Sequence, residues 1–221
     1  MKADFLEQER RWVVKGKEKT LTLEAIEMGI AFGDSTVPYL NHHSVAVVGR
    51  GEDKVLHILE GSFGFLDDII KATVDLKDRF YVKRAWIDRS PDALVMEMRQ
   101  AEGLSRYSWQ QDKLLNRKKY RNPPETWENF RSYDHTCSLI PIPELLEREF
   151  TGACVKLESG LSQGKIVSAW REFNRIVRQP LKEIINDSRF RAVVYVVDSL
   201  LPRQETATPS RQSPLYKNMP R

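Results

Sequence analysis

Two cysteines, Cys137 and Cys154, and four histidines are all the soft metal-binding chemistry in this 221-residue chain, and no C-x-x-C pair occurs. Neither a disulfide framework nor a structural zinc site is therefore expected. Long apolar runs are missing too. The longest, such as Ala192 to Val197, fall far short of the ~20 residues that span a membrane. The first residues, MKADFLEQERRW, have no apolar stretch of signal-peptide type, so no secretory signal is expected. A nucleotide-binding P-loop is absent. Gly164-Lys165 is followed by Ile166, Ser159 stands where the first glycine belongs, and Gly16-Lys17 is followed by Glu18. Adjacent His42 and His43 tend to face opposite sides of a chain and read as a turn at a strand entrance, and His135 and Cys137 read as structural residues. Charge is not lopsided: 35 basic against 31 acidic residues give +4, which permits a nucleic-acid partner without demanding one. With 41% hydrophobic residues, what remains is a globular chain expected to be soluble and cytoplasmic.

The hydrophobic pattern organises most of the chain. Residues 1–20 are dense in charge and read as a lead-in rather than core. Ala25–Phe32 and Ser44–Val48 are apolar and bounded by Gly, Asp, Asn and Pro, as buried strands are. Val55–Leu59 follows the turn GEDK and predicts a hairpin with Ser44–Val48. Over Leu66–Phe80 the period becomes helical, with Leu66, Ile69, Ile70, Thr73 and Phe80 on one face. Tyr81–Ile87 reads as a strand ending at Asp88. Ser90-Pro91-Asp92 then starts a helix that Gly103 ends. From 109 to 163 the chain reads as an irregular, partly basic insertion. Gly164–Arg178 is amphipathic through Trp170, Phe173, Ile176 and Val177, and Pro180 breaks it. Ser188–Leu201 reads as a helix with Phe190, Val193, Val194, Val197 and Leu201 on one stripe. Residues 202–221, with four prolines and four cations against one acid, form a basic tail. The main unit is thus expected over 21–201, as an α/β fold with a mixed sheet and helices on its faces.

Two carboxylates stand out. Asp88 follows an expected central strand, at the sheet end where open α/β folds place ligands. Asp187 opens the last helix in the run Asn186-Asp187-Ser188-Arg189-Phe190. The plainer readings are a turn aspartate and an N-cap. Asp198 lies about 16 Å further along that helix by rise, so it cannot share ions with Asp187.

In order, the chain carries Gly29-Ile30-Ala31-Phe32-Gly33 closing a strand, Val45-Ala46-Val47-Val48-Gly49 in a hairpin, and Trp86-Ile87-Asp88-Arg89-Ser90-Pro91 before a helix. A late helix reads NDSRFRAVVYV. In this order and spacing the sequence resembles the RNase H-like nuclease domain of phage large terminase subunits, the DNA-packaging motor proteins, over roughly residues 20–200. The resemblance implies an RNase H-like α/β sheet with helices on both faces. It also implies a centre in which three acids hold two Mg²⁺ or Mn²⁺ ions for hydrolysis of double-stranded DNA. Asp88 matches the second acid and Asp187 the third. The first falls on Ala31, where the family pattern G-I-D reads Gly29-Ile30-Ala31. Glu27, on the same strand face, and Asp34, just past the strand end, are the nearby acids that could stand in. A two-ion centre needs anionic ligands holding the ions ~4 Å apart, so cleavage should fall sharply without the first one. The chain shows no ATPase motif, so a packaging ATPase and a portal assembly are the partners the resemblance implies.

Two classes of function follow. One is a metal-dependent endonuclease disabled at Ala31; the other is a catalytically silent module that binds DNA or organises an assembly. Arg117, Lys118, Lys119 and Arg121, interleaved with Tyr120 and near Tyr107 and Trp109, are the expected grip on phosphates. Replacing these four cations by alanine is expected to weaken binding to unrelated DNA sequences alike. It should flatten the salt dependence by roughly 0.9 for each phosphate no longer neutralised. Anisotropy titrations over a salt series check this, and an unchanged slope at full affinity would mark the segment as a solvated loop.

Overall fold

The computed structural model describes residues 1–16, 20–33, 42–87, 129–131, 136–142 and 144–201. It is α/β, as expected: one mixed sheet with helices on both faces. The central strand, β3 (Thr20–Ala31), is buried along its second half on both sides. Such a strand must read as nearly continuous apolar sequence, and AIEMGIA does so except at Glu27. It pairs antiparallel with β4 (His43–Gly51), which pairs antiparallel with β5 (Leu56–Gly64). After helix α1 (Leu66–Phe80), β6 (Arg84–Ile87) returns parallel to β3 on its other side. Further out lie β8 (Thr136–Pro141), parallel to β6, and β7 (Asn129–Arg131), antiparallel to β8. Beyond β5, β9 (Ile166–Ser168) adds a parallel edge. The resulting order is β7-β8-β6-β3-β4-β5-β9.

Strand alternation divides the interior into two layers. Ile26, Met28, Ile30, Val45 and Val47 face α1 through Ile69, Ile70, Val74 and Phe80. Ala31, Ala46, Val48 and Ile58 face the opposite layer, built from α2 (Glu144–Ser162), α3 (Arg171–Ile176) and α5 (Ser188–Leu200). The short α4 (Leu181–Ile184) links α3 to α5 after Pro180. None of the described helices is long and apolar enough to cross a membrane.

Three segments depart from the sequence-based expectation. Residues 2–15 are not a lead-in: β1 (Lys2–Leu6) and β2 (Arg11–Lys15) form a hairpin whose second strand pairs with β3. Ala3, Trp12 and Val14 enter the α1 layer, and the intervening charged residues face outward. Within the insertion expected to be irregular, 129–131, 136–141 and 144–162 are regular structure, with Ala153, Cys154 and Leu157 buried on α2. The stretch from Gly164 opens as strand β9, because Ile166 and Val167 extend the sheet beside β5, and only 171–176 is α3. Both cysteines are buried, and burial pushes the Cys137 thiol up to about 12 and the Cys154 thiol up to about 11. Neither is a poised nucleophile.

Helix α5 crosses β3 and β4 so closely that it excludes any side chain at position 29. A Cβ on Gly29 would overlap the Ala192 carbonyl oxygen and crowd Val196. Gly29→Ala should therefore cost about 3 kcal/mol or more, since neither backbone can retreat without opening the core. Gly152→Ala, on α2 with open space around it, should gain ~0.5–1 kcal/mol through helix propensity. Urea denaturation of the two variants checks the contrast.

Candidate functional site

Strand register brings the ends of two central strands level. Ile87, the last residue of β6, pairs with Ile30, and Ala31 follows at the end of β3. On the opposite flank Ala31 pairs with Ser44 of β4. The Ser44 hydroxyl lies 2.8 Å from the Ser188 hydroxyl in a buried hydrogen bond, which fixes the start of α5 to this sheet end. The Arg191 guanidinium also donates to the Phe32 carbonyl, and His43 Nδ1 accepts from the Gly33 amide at 3.0 Å. The geometry thus joins the end of β3, the start of β4 and the first turn of α5.

Asp187 is the N-cap of α5. Its Oδ1 accepts the Arg189 amide at 2.9 Å, which satisfies one of the unpaired donors of the first turn. The Arg189 side chain folds back on the same carboxylate, donating from Nε at 2.9 Å and from Nη2 at 2.5 Å. Both side chains are about four-fifths covered. Ala31, fully buried, brings only a methyl group to the α5-side core.

Glu27 shares the α5-facing side with Ala31, as strand alternation required, but it sits about 13 Å back along β3 by strand rise. Its carboxylate is buried and held by the Trp86 indole at 2.6 Å and the Ser199 hydroxyl at 2.7 Å, with Arg84 at 3.4 Å. Ser199 is near the far end of α5, so the structure does not bring Glu27 together with Asp187. These partners are what a buried carboxylate needs to stay inside a fold. Asp34, Asp88 and the cations Arg117, Lys118, Lys119 and Arg121 lie outside the described residues.

Among the described residues no group of three or more His, Cys, Asp or Glu side chains is placed to hold a metal ion. At the sheet end the described anionic donor is Asp187, already engaged by Arg189. That set alone does not fit a pair of hard divalent cations, which take several oxygen ligands.

Next to Asp187 lies a feature that the sequence pattern did not single out. His42 sits between two phenylalanines, its ring centroid 5.0 Å from that of Phe63 and 4.8 Å from that of Phe65. The Arg189 guanidinium lies over Phe63 at 4.2 Å. The adjacent His43 instead meets Phe32 edge-on at 5.3 Å, so the two histidines serve different surroundings. The signal was present in Phe63-Gly64-Phe65, two aromatics two residues apart at a strand-to-helix junction.

Comparison of the chain with protein-family models and with curated proteins finds no match. Fold and geometry together define an α/β protein with a mixed central sheet, in which the Ser44–Ser188 hydrogen bond ties the helix end carrying a capped, arginine-paired aspartate to an alanine-ended central strand.

The cap makes a direct prediction. Asp187→Ala should lower stability by about 1–2 kcal/mol, whereas Asp187→Asn, which still accepts from the Arg189 amide, should lose less. Chemical denaturation ranks the two, and equal losses would show that the ion pair, not the cap, dominates.

Proposed function

We propose that the chain is a DNA-processing domain of the terminase nuclease type: a metal-dependent endonuclease acting on concatemeric viral DNA during packaging, disabled at Ala31. Its partners on this reading are double-stranded DNA, a packaging ATPase and a portal assembly, and its place is the host cytoplasm. The observation that carries the reading is the Ser44–Ser188 hydrogen bond. It ties the helix end bearing Asp187 to the strand end bearing Ala31, the two positions where the resemblance expects acids. The level ends of β3 and β6 add support, since Asp88 is the next residue in sequence after Ile87. In this arrangement Arg189 neutralises Asp187 in place of a bound cation and Ala31 contributes no oxygen, so the chain as it stands should bind Mg²⁺ or Mn²⁺ weakly.

The same pairing favours a second reading, a catalytically silent module that binds DNA or organises a larger assembly. Asp187 is fully used as a cap and ion-pair partner, and a buried methyl at position 31 packs without needing a cation. Plasmid nicking with Mn²⁺ separates the two. On the endonuclease reading Ala31→Asp nicks supercoiled plasmid, the parent chain does so weakly or not at all, and Asp187→Asn in the Ala31→Asp background abolishes it. The buried carboxylate should also lower the melting temperature of Ala31→Asp, and Mn²⁺ should restore it through binding to the folded state. A folded Ala31→Asp variant that neither nicks DNA nor gains stability from Mn²⁺, while DNA binding persists, would decide for the silent module.

A further inference from the structure

Large apolar side chains at a strand-to-helix junction ordinarily turn inward, yet Phe65 is 61% exposed and Phe63 38% exposed. They are not scattered surface residues. Because His43 of β4 pairs with Gly64 of β5 and Ser44 pairs with Phe63, His42 falls among the residues where the hairpin opens, beside both rings. The ring planes are tilted by 31° and 36°, closer to parallel than to edge-on. Arg189 then covers Phe63 and reaches Asp187. The result is a continuous ladder, Phe65–His42–Phe63–Arg189–Asp187, running from open solvent to the candidate centre.

We infer that this ladder is a contact surface for single-stranded DNA, with an unpaired base stacking on the open face of Phe65, the outer end of the ladder, and a backbone phosphate meeting Arg189. The inference rests on the DNA-processing reading of the same sheet end and names the strand state it would hold there. Three features carry it. Exposed aromatic faces gain from stacking with any base, but a duplex keeps its base faces covered, so the matching ligand is an unpaired stretch. The cation is positioned as well: stacking on Phe63 orients the guanidinium, and Asp187 takes its Nε and Nη2 donors. That leaves Nη1 to donate to a phosphate oxygen. The ladder also adjoins Ser44, whose hydroxyl is bonded to Ser188. A strand stacked there would lie alongside the ends of β3 and α5 rather than on a remote face.

The test is fluorescence anisotropy with the full chain and three probes: labelled oligo(dT), an abasic strand of equal length with the same phosphates, and a blunt duplex. The parent chain should bind oligo(dT) more tightly than the abasic strand. Phe65→Ala should weaken oligo(dT) binding by about tenfold and erase the difference between the two strands. Phe65→Trp, which keeps a stacking face, should retain both. Melting temperatures should hold for the Phe65 variants, because the ring is mostly in solvent. Phe63→Ala/Phe65→Ala binding oligo(dT) as tightly as the parent, or equal parent affinity for the abasic strand, would overturn the inference. Nicking by Ala31→Asp with no change in oligo(dT) binding on Phe65→Ala would sink the ladder and leave the nuclease reading standing. Loss of oligo(dT) binding in Phe65→Ala, together with an Ala31→Asp variant that never nicks, would support the ladder and remove the nuclease reading.

Discussion

The close approach of α5 to β3 at Gly29 governs the rest of the molecule. With no side chain at that position, the Ala192 carbonyl occupies the space above the strand, and the helix lies across β3 and β4. Both ends of the helix are then fixed by polar contacts. Ser188 bonds to Ser44 at one end, and Ser199 bonds to Glu27 at the other. An isolated carboxylate inside the α5-side layer would be costly, but the Trp86 and Ser199 donors satisfy it, and the pairing then requires a particular helix position. Asp187 reaches the end of β3 because the rest of the helix has nowhere else to sit.

The charge arrangement at that end follows from the same placement. Asp187 is mostly covered and needs a positive neighbour, and Arg189 supplies it from two residues along while resting on Phe63. An aspartate at position 31 would add a second anion in a fully buried setting. Like charges at short range in such a setting are unfavourable unless cations join them. Alanine at 31 and arginine at 189 therefore form a consistent pair: the methyl group brings no charge to this end, and the guanidinium balances that of Asp187.

Much of this was readable in the sequence, for definite reasons. The strands β3, β4 and β5 show as short apolar runs between turn residues, and the helices α1 and α5 keep a helical hydrophobic period, so their existence and order followed from pattern alone. The β1–β2 hairpin did not, because lysines and arginines at its outward positions mask a period of two whose inward members are few: Ala3, Trp12 and Val14. The β-branched start of β9 was absorbed into the helical pattern that follows it, since three residues are too few to show a period. At the site, the capping role of Asp187 could be read from its place before an apolar helix. Its closure by Arg189 and the stack of His42 between Phe63 and Phe65 could not, because they depend on the register of a hairpin whose partners are about twenty residues apart. With His43 opposite Gly64, the neighbours of His42 follow directly.

The central proposal is that the ends of β3 and α5 would hold a divalent cation once a carboxylate stands at position 31. Anomalous diffraction from crystals of the Ala31→Asp variant grown with Mn²⁺ tests it most directly. The account predicts a manganese peak at bonding distance from the carboxylates at positions 31 and 187, with the Arg189 side chain displaced from Asp187. Well-ordered crystals in which both carboxylates are resolved, Arg189 still pairs with Asp187 and no manganese lies between them would contradict it.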